Sequence, residues 1–304
     1  MPRLLLSDEH WSKLREILLR KAIYNKRDLR ITVAGMLYRM RTGCPWRDLP
    51  EAFGNWNKVY KRFNAWSATG KWLKVFKALV AQPDMEWVFI DGCYAKAHQH
   101  SAGAASGNDE AIGKSRAGNT STIHLAVDAH GLPIEFEITG GQINDCTQAP
   151  ALIAKLPEAE TIVADKGYDS ERVREQVEQQ GAKAVIPRKR NSVKGNADLD
   201  RGLYRNRHLV ENAFARLKHY RAVASRLDKL KRNYESNGRG RDGSYLPPPA
   251  QIRTCGTTAY GSCLRFVTRS VPPDRDVQFW ASVCRCLRDD QSVTTGAGYA
   301  GCAA

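Results

Sequence analysis

The sequence predicts a mixed α/β sheet with covering helices, preceded by an all-α, helix-turn-helix-like head. Three observations carry this. Apolar residues recur at helical spacing through the first 80 positions. Short apolar runs of strand length take over between residues 87 and 186. An opening hairpin is followed by strands that alternate with helices, the pattern of a sheet with helices laid over it. At 304 residues the chain can form one large domain or two smaller ones. The expected boundaries are a helical head over 1–80, a catalytic sheet body over 86–236 and a tail over 237–304.

The head starts at Ser7-Asp-Glu-His, where a serine oxygen can accept free N–H groups of a first turn and early acids suit its positive end. Trp11, Leu14, Ile17 and Leu18 carry the apolar side of this helix. A basic linker, Lys21 to Arg27, leads to a second helix on which Ile31, Ala34, Leu37 and Tyr38 recur. Gly43 suits a C-terminal cap, and Pro45 cannot continue the ladder. After a short helical turn ending at Gly54, Asn55 caps a third helix, with Val59, Tyr60, Phe63 and Trp66 inside and Lys58, Lys61 and Arg62 outside. Helix, turn and basic helix resemble a helix-turn-helix module, whose second helix enters a major groove. An ordinary helical bundle with a basic surface has the same pattern. Five of the seven tryptophans lie in this region, in apolar company that assigns them to a core.

Charge points to the partner. Lys and Arg number 47 against 32 Asp and Glu, a net charge of +15, and the first 80 residues hold 17 basic and 6 acidic side chains. Solubility alone does not require charge concentrated at one end, whereas a polyanion does, and nucleic acid is the first candidate. There is no eighteen-residue apolar run, and Leu4–Leu6 is too short for a signal peptide, so a cytoplasmic protein without membrane contact is expected. Cys44, Cys93 and Cys146 are scattered, and five more cysteines crowd the last 68 residues. Without an export signal, a disulfide framework is not expected.

In the body, Trp87-Val-Phe-Ile90 reads as a buried strand ending on Asp91-Gly92. Ala95 to Asn119 has no periodicity and reads as a mobile loop. Its Lys114 and Arg116 are candidate phosphate contacts, and a solvated loop explains them nearly as well. Ser121–Asp128 and Pro133–Thr139 form a hairpin about His130-Gly131, with Asp128 as a turn residue. A helix over Cys146–Leu156 follows, with Asp145 as its cap. Thr161-Ile-Val-Ala164 is a second buried run, ending on Asp165-Lys-Gly167. A helix over Ser170–Gln179 and a strand over Ala184–Ile186 complete the alternation. His98, His100 and His124 lack the spacing of a metal motif and read as solvated or satisfied histidines.

Tyr204 to Lys218 reads as one helix. It places Tyr204, Arg207, Glu211 and Lys218 at offsets of three, four and seven residues, which return to one face. Leu203, Val210, Phe214 and Leu217 form the adjoining apolar stripe. A solvated, salt-bridged face accounts for Arg207 and Glu211 taken alone. Asp91 and Asp165, each closing an apolar run ahead of a glycine, change that reading. Two strand-end aspartates and one helical glutamate are three hard oxygen donors, which suit Mg²⁺ or Mn²⁺ rather than zinc. Two such ions support phosphodiester displacement, with Arg207 and Lys218 placed for phosphate oxygens and Tyr204 for water or DNA.

The spacing Tyr204, Arg207, Glu211, Lys218 resembles the signature of bacterial insertion-sequence DDE transposases of the insertion-sequence-five family. Trp46-Arg-Asp-Leu-Pro with Phe53-Gly-Asn-Trp56, Ile90-Asp-Gly92 and Ala164-Asp-Lys-Gly-Tyr168 are similar to the same family, over roughly residues 5 to 236. The resemblance implies an N-terminal DNA-binding domain and an RNase H-like catalytic domain that cuts and joins the ends of its element with Mg²⁺ or Mn²⁺. It makes Asp91, Asp165 and Glu211 the catalytic, metal-binding triad. It further implies double-stranded DNA as partner, in the form of terminal inverted repeats and target, and a homo-oligomer on that DNA. A structure-specific nuclease and a catalytically impaired DNA-binding remnant are the competing readings.

After Ser236 the pattern changes. Asn237 to Gly243 is a breaker run, Pro247 to Pro249 follows, and no helical or strand period returns. The resemblance implies an apolar helix at this point. Asn-Gly-Arg written AAT-GGT-CGC yields Met-Val-Ala when shifted by one base. Residues 237–304 are therefore read as an out-of-frame, disordered replacement of the native terminus.

Overall fold

The computed structural model describes residues 6–23, 27–80, 82–102, 110–190, 192 and 195–240. All of them belong to one compact unit, Met1–Tyr245. Residues 241–304, which include almost all of the expected tail, lie outside the described residues.

Four helices build the head: α1 (Asp8–Arg20), α2 (Leu29–Thr42), α3 (Trp56–Ala68) and α4 (Lys71–Leu79). Ser7 caps α1 by accepting the His10 N–H, and Asn55 caps α3 by accepting the Asn57 N–H, as their sequence positions predict. Gly43 ends α2 in the left-handed region at φ 67°, where a side chain would be strained. The path from α2 to α3 carries two 3₁₀ turns, Trp46–Asp48 and Glu51–Phe53. Leu18, Val33, Met36, Met40, Phe53, Phe63 and Trp72 are among the residues of the head's core, with Trp11, Trp46 and Trp56 packed against it. On α2 the expected stripe holds for Ala34, Leu37 and Tyr38 but not for Ile31, which is 48% exposed, and Val33, Met36 and Met40 are buried beside it. Helix α4 was legible but not read: Trp72, Val75, Phe76 and Leu79 stand at helical spacing.

The body is a mixed sheet of β1 (Trp87–Ala97), β2 (Gly113–Ser115), β3 (Gly118–Val127), β4 (Pro133–Gly140), β5 (Thr161–Val163), β6 (Lys183–Val185) and β7 (Ser225–Arg226). The order is β2-β3-β1-β5-β6, with β4 also on β3 and β7 on β1. β3 lies antiparallel to β1 and β4, while β5 lies parallel to β1 and to β6. This is the hairpin-then-crossover arrangement the sequence predicts. Asp128 sits in the hairpin turn and accepts N–H groups of His130 and Leu132.

Helices cover both faces. α5 (Asp145–Ile153) and α6 (Glu171–Gln179) close one side over Val88, Ile90, Ala126, Ile162 and Ala164. α8 (His208–Lys218) closes the other over Phe89, Leu125, Phe136 and Val163, through Val210, Ala213, Phe214 and Leu217. The apolar stripe read from sequence is therefore the seat of α8. Short helices α7 (Arg201–Tyr204) and α9 (Arg221–Ala224) flank it, and α10 (Lys231–Arg239) follows β7.

Two expected elements are different. The Ala95–Asn119 loop is largely ordered by strand pairing: β1 continues to Ala97 because Lys96 still pairs with Thr120, and β2 returns as a hairpin with β3. Main-chain ladders do not require the side-chain periodicity that was missing there. Residues 103–109 of that loop lie outside the described residues. The helix from Tyr204 to Lys218 is also not continuous. A 3₁₀ turn at Arg205–Arg207 separates α7 from α8, tightening the chain where Arg207 turns toward the sheet.

Head and body are joined by buried polar groups. Arg39 of α2 donates to both carboxylate oxygens of Asp228, at 2.9 and 3.2 Å, and to the Asn237 side-chain oxygen at 3.1 Å. Asn237 completes the set by donating to Asp228 at 2.6 Å. Helix α10 thus runs three residues past the expected body boundary, with Asn237 and Gly238 buried.

Candidate active site

The parallel pairing of β1 with β5 places Phe89 beside Val163. Asp91 and Asp165 each stand two residues farther along the same direction; Asp91 is not the strand end the sequence predicts but remains within β1, paired with Leu125 of β3, whereas Asp165 has just left β5. By the alternation of a strand, Asp91 faces the same side as Phe89, the side covered by α8. The loop after β5 turns at once. Asp165 accepts the Gly167 N–H at 2.7 Å and caps the 3₁₀ turn Lys166–Tyr168. Asp91 accepts the N–H of its neighbour Gly92 at 2.8 Å.

Glu211 comes from the first turn of α8, and Arg207 connects it to the sheet. Arg207 Nη1 donates to Asp91 Oδ2 at 3.1 Å, and Nη2 donates to Glu211 Oε1 at 2.5 Å. Burial works against the charged guanidinium, but the charges of Asp91, Glu211, Tyr204 and Asp165 hold its pKa above the usual arginine value. Burial pushes the Asp91 carboxyl up. The Gly92 N–H and Arg207 oppose that rise, while the charges of Asp165 and Asp145 add to it. Asp91, Asp165, Glu211, Arg207 and Tyr204 therefore share one electrostatic neighbourhood. Among the described residues no three His, Cys, Asp or Glu side chains converge on an ion-sized space. The guanidinium stands between Asp91 and Glu211, and it screens two like charges that would otherwise repel.

The remaining candidates lie elsewhere. Lys218 is exposed in the last turn of α8, where its charge complements the helix dipole. Lys114 and Arg116 are exposed around the β2–β3 turn. On α3, Lys58 and Lys61 are exposed, whereas Arg62 is half-buried and donates to Asp28 and Thr32, tying α3 to α2.

Three side chains near the carboxylates were not among the site residues expected from the sequence. Asp145 is not the cap of α5: Asn144 fills that role by accepting the Cys146 N–H at 3.2 Å. Asp145 instead faces His124, Nδ1 to Oδ1 at 3.3 Å, and the imidazole is buried. Tyr168 is buried too, and burial followed by the charges of Asp145, Asp91 and Asp165 pushes its hydroxyl well above the ordinary tyrosine range. Position in the chain offered a signal only for Tyr168, three residues past Asp165.

These features can be set beside known proteins. The family described as transposase DDE domain matches residues 82–236, and the putative transposase of IS4/5 family matches residues 6–76. A putative transposase for insertion sequence element IS6501 from Brucella ovis is 35% identical over 111 residues, 36% of this chain and 85% of that protein. A putative transposase for insertion sequence element IS402 from Burkholderia cepacia is 32% identical over 117 residues, 35% of this chain and 53% of that protein. The transposase for insertion sequence element IS1106 from Neisseria meningitidis serogroup B is 32% identical over 98 residues, 31% of this chain and 34% of that protein. The chain therefore spans most of the first relative's length, about half of the second's and a third of the third's. A DDE domain over half of the chain means an RNase H-like fold and a divalent-metal-dependent enzyme acting on DNA. No helix among the described residues is long and apolar enough to cross a membrane. By its two matched segments and these relatives, the chain belongs to the DDE transposases of IS4/5-type insertion sequences.

Proposed function

We propose that this transposase binds the terminal inverted repeats of its insertion element through the helical head, over 1–80. The sheet body, 86–236, then cleaves and joins the DNA strands with Asp91, Asp165 and Glu211 as the catalytic carboxylates. The observation that carries this is that Asp91 and Asp165 each follow the last paired residues of β1 and β5 by two positions, with Arg207 linking Asp91 to Glu211. The donor set fits Mg²⁺ or Mn²⁺. It offers only carboxylate oxygens, and a guanidinium already occupies the place a positive charge would take. When bound there, such ions would activate the attacking oxygen and stabilise the leaving one.

The chain's own groups do the rest. Glu211 is 55% exposed at its side chain and would be drawn from Arg207 toward the aspartates by a cation bound there. Arg207, so released, faces the scissile phosphate as a paired donor. Tyr204, half-buried beside it, positions the strand, and Lys218 neutralises backbone farther along α8. Water attacks the phosphodiester at the element end first, breaking its bond to the 3′-oxygen, and the 3′-hydroxyl so freed attacks a target phosphodiester second, displacing a target 3′-oxygen, both steps served by the same carboxylates. Pairing of two element ends calls for a homo-oligomer on DNA, with target DNA as the final substrate.

Glu211→Gln tests the assignment. Cleavage of an end-containing duplex in Mg²⁺ or Mn²⁺ is expected to fall below detection while end binding in a gel-shift assay changes less than about threefold, since the transition-state contribution alone is lost. Equal loss of binding and cleavage would assign Glu211 to structure.

A further inference from the structure

A further carboxylate reaches the strand from the opposite face. His124 pairs with Gly92 across the antiparallel β1–β3 ladder, and both side-chain positions alternate away from the Asp91 face. Helix α5 starts over that spot, capped by Asn144, which leaves Asp145 without a capping task. Its carboxylate lies directly against Gly92. A Cβ on Gly92 would stand 2.3 Å from Asp145 Oδ1 and 3.0 Å from Oδ2. Only a residue without a side chain lets an acid come this close to the main chain next to Asp91.

His124 holds that acid in place. The ring is 1% exposed, its Nε2 is 2.8 Å from Thr139 Oγ1, and its Nδ1 faces Asp145 Oδ1 at 3.3 Å. That contact is not a hydrogen bond, so neither facing buried atom has a hydrogen-bond partner among the described residues. The sheet is open here. β5 pairs with β1 only as far as Phe89 and β7 only at Lys96 and Ala97, so among the described residues no strand covers that edge at Asp91 and Gly92. An independent sign of a polar occupant comes from Tyr168. It is 2% exposed, its hydroxyl has no hydrogen-bond partner among the described residues, and it feels the charges of Asp145, Asp91 and Asp165 in that order. A buried phenol with no partner among the described residues calls for a polar occupant beside it.

We propose that Asp145 is a fourth carboxylate of the cation site, brought up to β1 past Gly92 and oriented by His124. This rests on the reading that Asp91 and Asp165 hold the divalent ion. Like charges gathered at one strand edge repel, and a divalent cation offsets that repulsion. Asp145 therefore adds to the field that draws the ion, and His124 acts as a positioning residue for it.

Binding of Mn²⁺ to the full chain, followed by electron paramagnetic resonance, and melting with and without Mn²⁺ test the proposal on Asp145→Asn, His124→Gln and Asp165→Asn. Asp145→Asn is expected to weaken Mn²⁺ binding at least tenfold. It is also expected to raise the metal-free melting temperature by relieving repulsion, and to shrink the rise that Mn²⁺ produces. His124→Gln is expected to weaken binding about tenfold, the scale of an outer partner of a metal ligand. Unchanged Mn²⁺ affinity in Asp145→Asn, with a lowered metal-free melting temperature, would reduce Asp145 to a helix-start residue and overturn the proposal. If Asp145→Asn does not fold, wild-type affinity in His124→Gln overturns it instead. Asp165→Asn separates the two levels: wild-type binding there would remove the three-carboxylate reading itself. Weakened binding in Asp165→Asn beside unchanged binding in Asp145→Asn would remove only the fourth carboxylate.

Discussion

Arg207 Nη1 lies 3.1 Å from Asp91 Oδ2, an ion pair between residues 116 positions apart in the chain. The two side chains are only 22% and 18% exposed, so solvent screens this pair less than a surface one. The same guanidinium holds Glu211, one helical turn away on α8. One cation thus keeps a strand acid and a helix acid in a single arrangement, and the site's charge balance passes through it.

Arg207→Ala removes that balance. Without divalent metal the variant is expected to melt below the wild type, because Asp91 and Glu211 lose a shared partner while their repulsion remains. Strand cleavage is expected to fall about 10²-fold, the scale of deleting one donor to a developing charge. Melting curves and single-turnover cleavage would check both, and a variant that cleaves like the wild type would take Arg207 out of the chemistry.

The basic face of α3 divides in two. Lys58 and Lys61 are exposed and available to phosphates, while Arg62 is engaged with Asp28 and Thr32. Lys58→Ala and Lys61→Ala are each expected to lower the slope of log affinity against log salt by about 1, with stability unchanged. Arg62→Ala is expected to lower stability first. Salt-titrated DNA binding beside urea denaturation distinguishes the two, and an unaltered salt slope in both lysine variants would move the DNA interface off α3.

Asp228→Ala strands the buried Arg39 guanidinium. The side chains of this pair are 4% and 7% exposed, and removing one member of such a pair costs about 3–5 kcal/mol. Urea denaturation is expected to show that loss. A change below about 1 kcal/mol would mean that Asn237 alone satisfies Arg39.

Asp169 gives a pH-dependent test. Burial raises its carboxyl pKa, but the Lys189 N–H and the Arg174 side chain more than offset this and hold it below the ordinary value. A depressed folded-state pKa adds stability that is complete above the unfolded value, about 3.9, and disappears as pH falls through the folded one. Asp169→Asn is therefore expected to cost about 1–2 kcal/mol at pH 7 and progressively less below pH 4. Denaturant midpoints across that range would show it, and a pH-independent difference would mean that the hydrogen bonds act without the charge.

Much of this architecture was written in local patterns. Ser7 and Asn55 cap their helices because a short polar side chain ahead of an apolar period has one productive role. The runs at Trp87 and Thr161 became paired strands because short, mostly apolar runs suit a sheet covered on both faces. Patterns failed where the partner is distant or the constraint lies in the main chain. β1 persists through Ala97 by ladder bonds to β3, which leave no side-chain trace. The break at Arg205–Arg207 leaves the apolar stripe of α8 intact, so periodicity could not show it. Asp145 looked like a cap because its tie to His124 spans strands that only the folded sheet brings together.

By itself the sequence determined the family, the mixed α/β class, the basic head and the identities of three acids, two just past short apolar runs and one on a helix. These follow from side-chain chemistry repeated at spacings of a few residues. Tertiary structure decided which charges meet: the parallel pairing of β1 and β5 brought the two segments that precede Asp91 and Asp165 side by side, the seat of α8 delivered Arg207 between Asp91 and Glu211, and the bare main chain of Gly92 admitted Asp145. Coulomb energy depends on distance and dielectric, and neither is encoded until the chain has closed over its own core.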